Sequence, residues 1–137
     1  MFLQPLLAAP IVIQAHAFAA LGAFLLGIIQ LAGVKGNLSH RVLGWIWVGM
    51  MAFIAVSSFW IHQIKMWGDW SPIHLLSVFT LLMLCLGVLA ARRRKIRRHS
   101  KIMKGTFVGA LVVAGAFTFF PGRIMYDVLF GTNISGQ

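Results

Sequence analysis

Carboxylates are almost missing from this chain. Asp69 and Asp127 are the only two acids among 137 residues. Paired carboxylates for general acid–base work are therefore absent, and no Ser/His/Asp spacing stands in for them, so hydrolysis has little support. Charged residues of both signs reach only 10% of the chain, whereas soluble proteins average about 25%. A soluble fold cannot cover its core with so little polar surface, and a membrane-embedded chain is what remains. Cysteine occurs once, as Cys85, so no intrachain disulfide can form; inside an apolar run it reads as a small buried core residue. There is no C-x-x-C and no H-x-x-x-H, which leaves zinc at His62, Asp69 and His74 with little support. Mid-span prolines and acids are also lacking, which argues against the broken helices of a transporter. No basic segment precedes the first apolar stretch, so residues 1–9 read as a lead-in to a membrane helix and not as a cleaved signal.

What is present is apolar residues, 60% of the chain, gathered into four runs. They span about 10–32, 41–63, 72–91 and 102–121, each near the ~20 residues that carry an α-helix through ~30 Å of hydrocarbon. Helix is the expected state, because an open strand would leave backbone groups unpaired in lipid and the runs lack barrel alternation. The expectation is an all-α, four-transmembrane-helix bundle forming a single membrane domain over 1–137, with a short C-terminal segment at 122–137. Ser39 is a candidate N-cap for the second helix, Pro72 suits the first turn of the third, and Pro121 with Gly122 should close the fourth. Trp45, Trp47, Trp60, Trp67 and Trp70 are placed where indoles favour the headgroup level. Gly22, Gly27, Gly49, Gly87, Gly109 and Gly115 should let helices approach closely.

The positive charge is lopsided. Of twelve Lys and Arg residues, Lys35 and Arg41 flank the first loop. Arg92, Arg93, Arg94, Lys95, Arg97, Arg98, Lys101 and Lys104 flank the third. Only Lys65 and Arg123 fall on the other side. By the positive-inside rule the loops at 33–40 and 92–101 should be cytoplasmic and both termini periplasmic, in a bacterial inner membrane. The cations should also attract anionic lipids of the bilayer. Nucleic acid is not an expected partner, since the basic residues are not set on a soluble surface.

Histidines recur at a regular interval. His16 and His40 are 24 residues apart, and His74 and His99 are 25 apart. The segments "HRVLGWIWVGM" (40–50) and "HSKIMKGTFVGA" (99–110) also rhyme, which suggests two repeated helical hairpins. In a four-helix bundle, helices one and three are diagonal partners, as are two and four. His16 with His74, and His40 with His99, then become two facing pairs, one near each membrane face. An imidazole is a good axial ligand for haem iron, and a haem b held by two histidines needs one from each of two facing helices. Plainer uses stand beside this one. His16, with Gln14 also in the span, could serve in interhelical hydrogen bonding, and His40, His62, His74 and His99 as interfacial residues.

The stretches "HRVLGW", "SPIHLLSVF" and "RRHSKIM" resemble those of an uncharacterised family of predicted four-helix bacterial membrane proteins. That family is distantly similar to the four-helix core of two-haem cytochromes b561 and ferric-reductase-like proteins. The resemblance implies transmembrane electron transfer, with His16, His74, His40 and His99 as axial ligands of haem b. Arg41 beside His40 would then bind a haem propionate, a quinone oxygen or a lipid phosphate. An equal alternative is a non-catalytic accessory subunit packed against a larger respiratory or photosynthetic membrane complex. The aromatic segment "FTFFPGRIMYDVLFG" (117–131) would suit it, with Arg123 and Asp127 one turn apart on a short outer helix.

Overall fold

The computed structural model describes residues 3–61, 72–121 and 123–131. His62, Lys65, Trp67, Asp69, Trp70 and Gly122 lie outside them. The described residues are all-helical. A single turn, α1 (Gln4–Leu7), leads into α2 (Ile11–Ala32). Then come α3 (Leu38–Ser57, closed by a 3₁₀ turn at Ser58–Trp60), α4 (Pro72–Arg92), α5 (Ile96–Phe117) and α6 (Ile124–Phe130). Helices α2 to α5 are long and apolar enough to cross a membrane. Each packs on its neighbour in sequence, and α5 returns to α2, so α2 faces α4 and α3 faces α5 across the bundle. The tight links at 33–37 and 93–95 share one end, called here the basic end. The termini share the other.

The core lies at mid-height, where Ala23, Trp47, Met51, Leu84, Phe107 and Leu111 meet. A close approach at Gly27 builds it. A Cβ there would lie 2.5 Å from the Phe107 ring and 3.1 Å from Trp47 Nε1. The Phe107 ring stacks on Phe24 with centroids 5.7 Å apart. Trp47 is not the interfacial residue its position suggested. It is buried, and its Nε1–H donates to the Ala23 carbonyl at 3.0 Å, which satisfies its one polar atom inside the bundle. Trp45 and Trp60 are exposed. Close contact at glycine is confined to Gly22, Gly27 and Gly87 among the six glycines expected to give it; Gly49, Gly109 and Gly115 face open space. Cys85 is likewise exposed on α4, not buried, so it belongs to the outer apolar surface.

Several hydroxyls within the spans close on their own helices. Thr80, Thr106 and Ser77 each donate at 2.8 Å to the carbonyl four residues back, which keeps a buried hydroxyl satisfied in hydrocarbon. The last span starts earlier than its apolar run. α5 begins at Ile96, inside the basic segment, because an amphipathic turn can extend into the headgroup layer where its charges stay solvated. Over Phe107–Val113 it widens into a π-helical stretch, and it ends at Phe117, four residues before Pro121.

The α4–α5 elbow is a Schellman motif. Lys95 N–H donates to the Ala90 carbonyl at 2.9 Å and Arg94 N–H to Ala91 at 3.0 Å. Arg94 holds the left-handed position, φ 55°, where glycine is usual. An L-residue there gives up about 1–2 kcal/mol. At the opposite end the corresponding position after α6 is Gly131, φ 57°.

Candidate functional site

The basic end is hollow. Its shape begins with how two helices are capped. Asn37 is extended, and its Oδ1 accepts from the His40 N–H at 2.8 Å, so Asn37 and not Ser39 is the N-cap of α3. The preceding helix is closed by Lys35, whose ammonium donates to the carbonyls of Gln30, Leu31 and Gly33 at 2.7–2.8 Å. Those carbonyls are among the orphans of a helix C-terminus, and a cation suits that end of the dipole. Gln30 Nε2 then reaches over to the His40 carbonyl at 3.0 Å. Together these contacts fix His40 at the third position of α3, in its first turn. His99 is the fourth residue of α5. Both helices begin before the apolar runs at 41 and 102, so the two histidines fall within them.

Between the four helices at this end lies a cavity of about 740 Å³, lined in part by both His40 and His99. That falls within the ~300–1,000 Å³ usual for small-molecule sites. Its walls are apolar, with Trp45, Val48, Val88, Met103 and Phe107. Its rim is cationic, with Arg41, Arg92, Arg94 and Lys104. The two imidazoles differ. His99 Nδ1 lies 2.8 Å from the Gly87 carbonyl. A carbonyl only accepts, so Nδ1 carries the proton of this bond, and in the neutral tautomer that this selects the lone pair is on Nε2. A backbone carbonyl behind the distal nitrogen is the arrangement that orients a metal-ligating histidine. His40 also lines the cavity, and its Nδ1 is buried without a hydrogen-bond partner. An amphipathic guest with a flat apolar body and an anionic end would meet matching chemistry on every side.

His16 and His74 lie toward the termini, and neither lines this cavity. His16 Nδ1 is 2.8 Å from Ser57 Oγ. Ser57 spends its own proton on the Ile54 carbonyl, so His16 is the donor in an interhelical bond. Ser58 and Ser77 touch across α3 and α4. His74, one turn before Ser77, is buried, with its ring 5.6 Å from that of Phe59. His16 pairs at the level of Ser57, and Ser77 at the level of Ser58. His74 therefore stands about one turn nearer the termini than His16. No group of three or more His, Cys, Asp or Glu able to hold a bare metal ion occurs among the described residues. The zinc reading at His62 and Asp69 lies outside them.

The model of a family described as "Predicted membrane protein (DUF2306)" matches residues 13–133, which covers all four spans and both basic links. The chain belongs to this family. No curated protein and no solved structure matches it. The family assignment thus agrees with the resemblance to uncharacterised four-helix membrane proteins, while nothing in these comparisons links the DUF2306 chain to cytochromes b561 or ferric reductases. Sequence reasoning read Lys35 only as an orienting charge, and passed over Gln30, Asn37 and the carbonyl of Gly87, which position the two basic-end histidines. Asn37 was within reach, since Asn three residues before His40 is an ordinary capping signal. The Gly87 carbonyl leaves no side-chain trace and could not have been found.

Proposed function

We propose that this protein binds haem b at its basic end and passes electrons within the membrane. The observation that carries the reading is that His40 and His99, from diagonal helices, line one apolar cavity rimmed by cations. His99 would present Nε2 while the Gly87 carbonyl holds its ring in place. His40, which lines the same cavity, would be the second histidine to hold the group. Arg41, Arg92, Arg94 and Lys104 would hold the anionic carboxylates at the rim, and Phe107 and Trp47 would exclude water beneath. Haem, when bound, supplies reversible one-electron chemistry at its iron. A second site at His16 and His74 rests on the resemblance to two-haem proteins. A quinone is the membrane-soluble donor or acceptor this chemistry would use. The orientation that goes with the reading puts the basic end on the cytoplasmic side of a bacterial inner membrane, by the positive-inside rule.

The test is the reduced-minus-oxidised absorption spectrum of the purified full-length chain, expressed with a haem precursor supplied. The expected result is a b-type Soret and α-band, abolished by His40→Ala and by His99→Ala. A colourless wild-type protein that also fails to take up added haem overturns the reading. If that colourless protein comigrates with a larger membrane assembly, the accessory-subunit alternative takes its place.

A further inference from the structure

Outside the cavity, on the bilayer face of the α4–α5 elbow, lies a second recess of about 230 Å³. It is lined by Leu86, Leu89, Ala90, Arg93, Lys95 and Arg98. The left-handed Arg94 separates this cation group from the other. Arg92 and Arg94 line the large cavity, while Arg93, Lys95 and Arg98 line the recess. The three cations of the recess are exposed, and they crowd together at the positive end of a helix with no acid in its first turn. Like charges so placed repel one another and oppose the helix dipole. Asp127, the only acid among the described residues, is on α6 at the far end of the molecule. No acid among the described residues stands beside these three cations, so an anion from outside the chain would relieve their repulsion. Below the recess, Leu75, Val78, Phe79, Leu82, Leu86 and Leu89 recur at helical spacing, all but the half-buried Leu86 exposed on the lipid side. The anion that fits is one joined to a long apolar tail.

We infer that the recess between Leu86 and Arg98 is a binding site for one anionic phospholipid. Its phosphate is held by Arg93, Lys95 and Arg98, and an acyl chain lies along the outer stripe of α4. Arginine matches phosphate in a two-pronged manner that a zwitterionic headgroup would partly cancel with its own ammonium. This site is separate from the haem cavity and does not depend on what fills that cavity.

Native mass spectrometry of the full-length protein in detergent tests the inference. The probes are dioleoylphosphatidylglycerol, dioleoylphosphatidylcholine and inorganic phosphate, each added alone. The expected result is one retained phosphatidylglycerol and neither of the others. In Arg93→Gln/Arg98→Gln the apparent affinity should fall by about fivefold per cation lost. The charge-matched control Arg97→Gln/Lys101→Gln, which touches neither recess nor cavity, should keep wild-type binding. Three results would overturn the site: equal loss in both double variants, equal retention of phosphatidylcholine, or binding of inorganic phosphate without lipid.

Discussion

The two ends of the bundle are built by opposite rules. At the termini end, chain and side chains close on each other. α1 packs against α6, burying Leu6 to 2% and Val128 to 1% exposure. Ser57, Ser58 and Ser77 stitch the adjoining layer of the helices. At the basic end α4 and α5 still meet, with Gly87 against Met103, but a space of about 740 Å³ opens between the helices, whose ends are secured by caps and by Lys35. Interiors that have no ligand to admit fill to crystal-like density. One end thus stays open while five side-chain hydrogen bonds from Gln30, Lys35 and Asn37 secure its helix ends, an arrangement that suits the binding role proposed for it. The closed end supplies the stability against which the open end can be hollow.

Matched leucine deletions should expose this difference most strongly. Leu6→Ala removes a fully buried side chain, and it should cost about 2 kcal/mol or more. Leu31→Ala, at 38% exposure on the cavity wall, should cost well under ~1 kcal/mol, because it only widens an existing space. Hydrogen exchange should show Leu6→Ala loosening residues 124–130 in particular. Equal costs for the two would mean that the basic end is as tightly packed as the other.

Gly27→Ala addresses the floor that separates the hollow from the core. The new methyl would sit 2.5 Å from the Phe107 ring, so that ring or the α2 backbone must move. Overpacking of this kind costs about 1–3 kcal/mol. A displaced Phe107 also lines the cavity, so ligand uptake at the basic end should fall along with the thermal midpoint. Gly109→Ala, which meets nothing within 4 Å, is the silent partner of this test. If both substitutions behave alike, the close approach at Gly27 does not shape the floor.

The sequence made the four crossings plain, because hydrocarbon forces long apolar runs and the Arg-rich link marks their common end. It was vaguer wherever polarity and helix coexist. The first turns of α5 are helical although Arg97, Arg98 and Lys101 keep them out of any apolar window, so the start at Ile96 was hidden. Trp47 shows the reverse problem. Its spacing from Trp45 suggests a headgroup belt, and only the nearby Ala23 carbonyl and Gly27 explain why it turns inward. Of the site, the histidines and Arg41 could be named from residue type, whereas the enclosing space depends on how four helices diverge. The π-helical stretch at Phe107–Val113 has no signature in composition at all.

The smallest expected effect is the sharpest probe, because it changes sign between the two ends. Arg94 and Gly131 both follow a helix in the left-handed conformation, with φ 55° and 57°. Gly131→Ala introduces a Cβ into that conformation and should cost about 1 kcal/mol. Arg94→Gly removes one and recovers a similar amount, but the more flexible unfolded chain returns about 0.5–1 kcal/mol of it. The net stabilisation should be a few tenths of a kcal/mol, seen as a thermal midpoint slightly above wild type. Arg93→Gly, one residue earlier and without positive φ, gains nothing from relieved strain and should lower the midpoint. The two glycine variants also remove different cations, Arg94 from the cavity rim and Arg93 from the lipid recess. A stabilised Arg94→Gly that binds its cavity ligand less well would show the basic end giving up backbone stability to keep a cation in place. If Arg94→Gly instead destabilises, the Schellman elbow does not set the direction of the α4–α5 link, and the sorting of cations between the two recesses loses its structural cause.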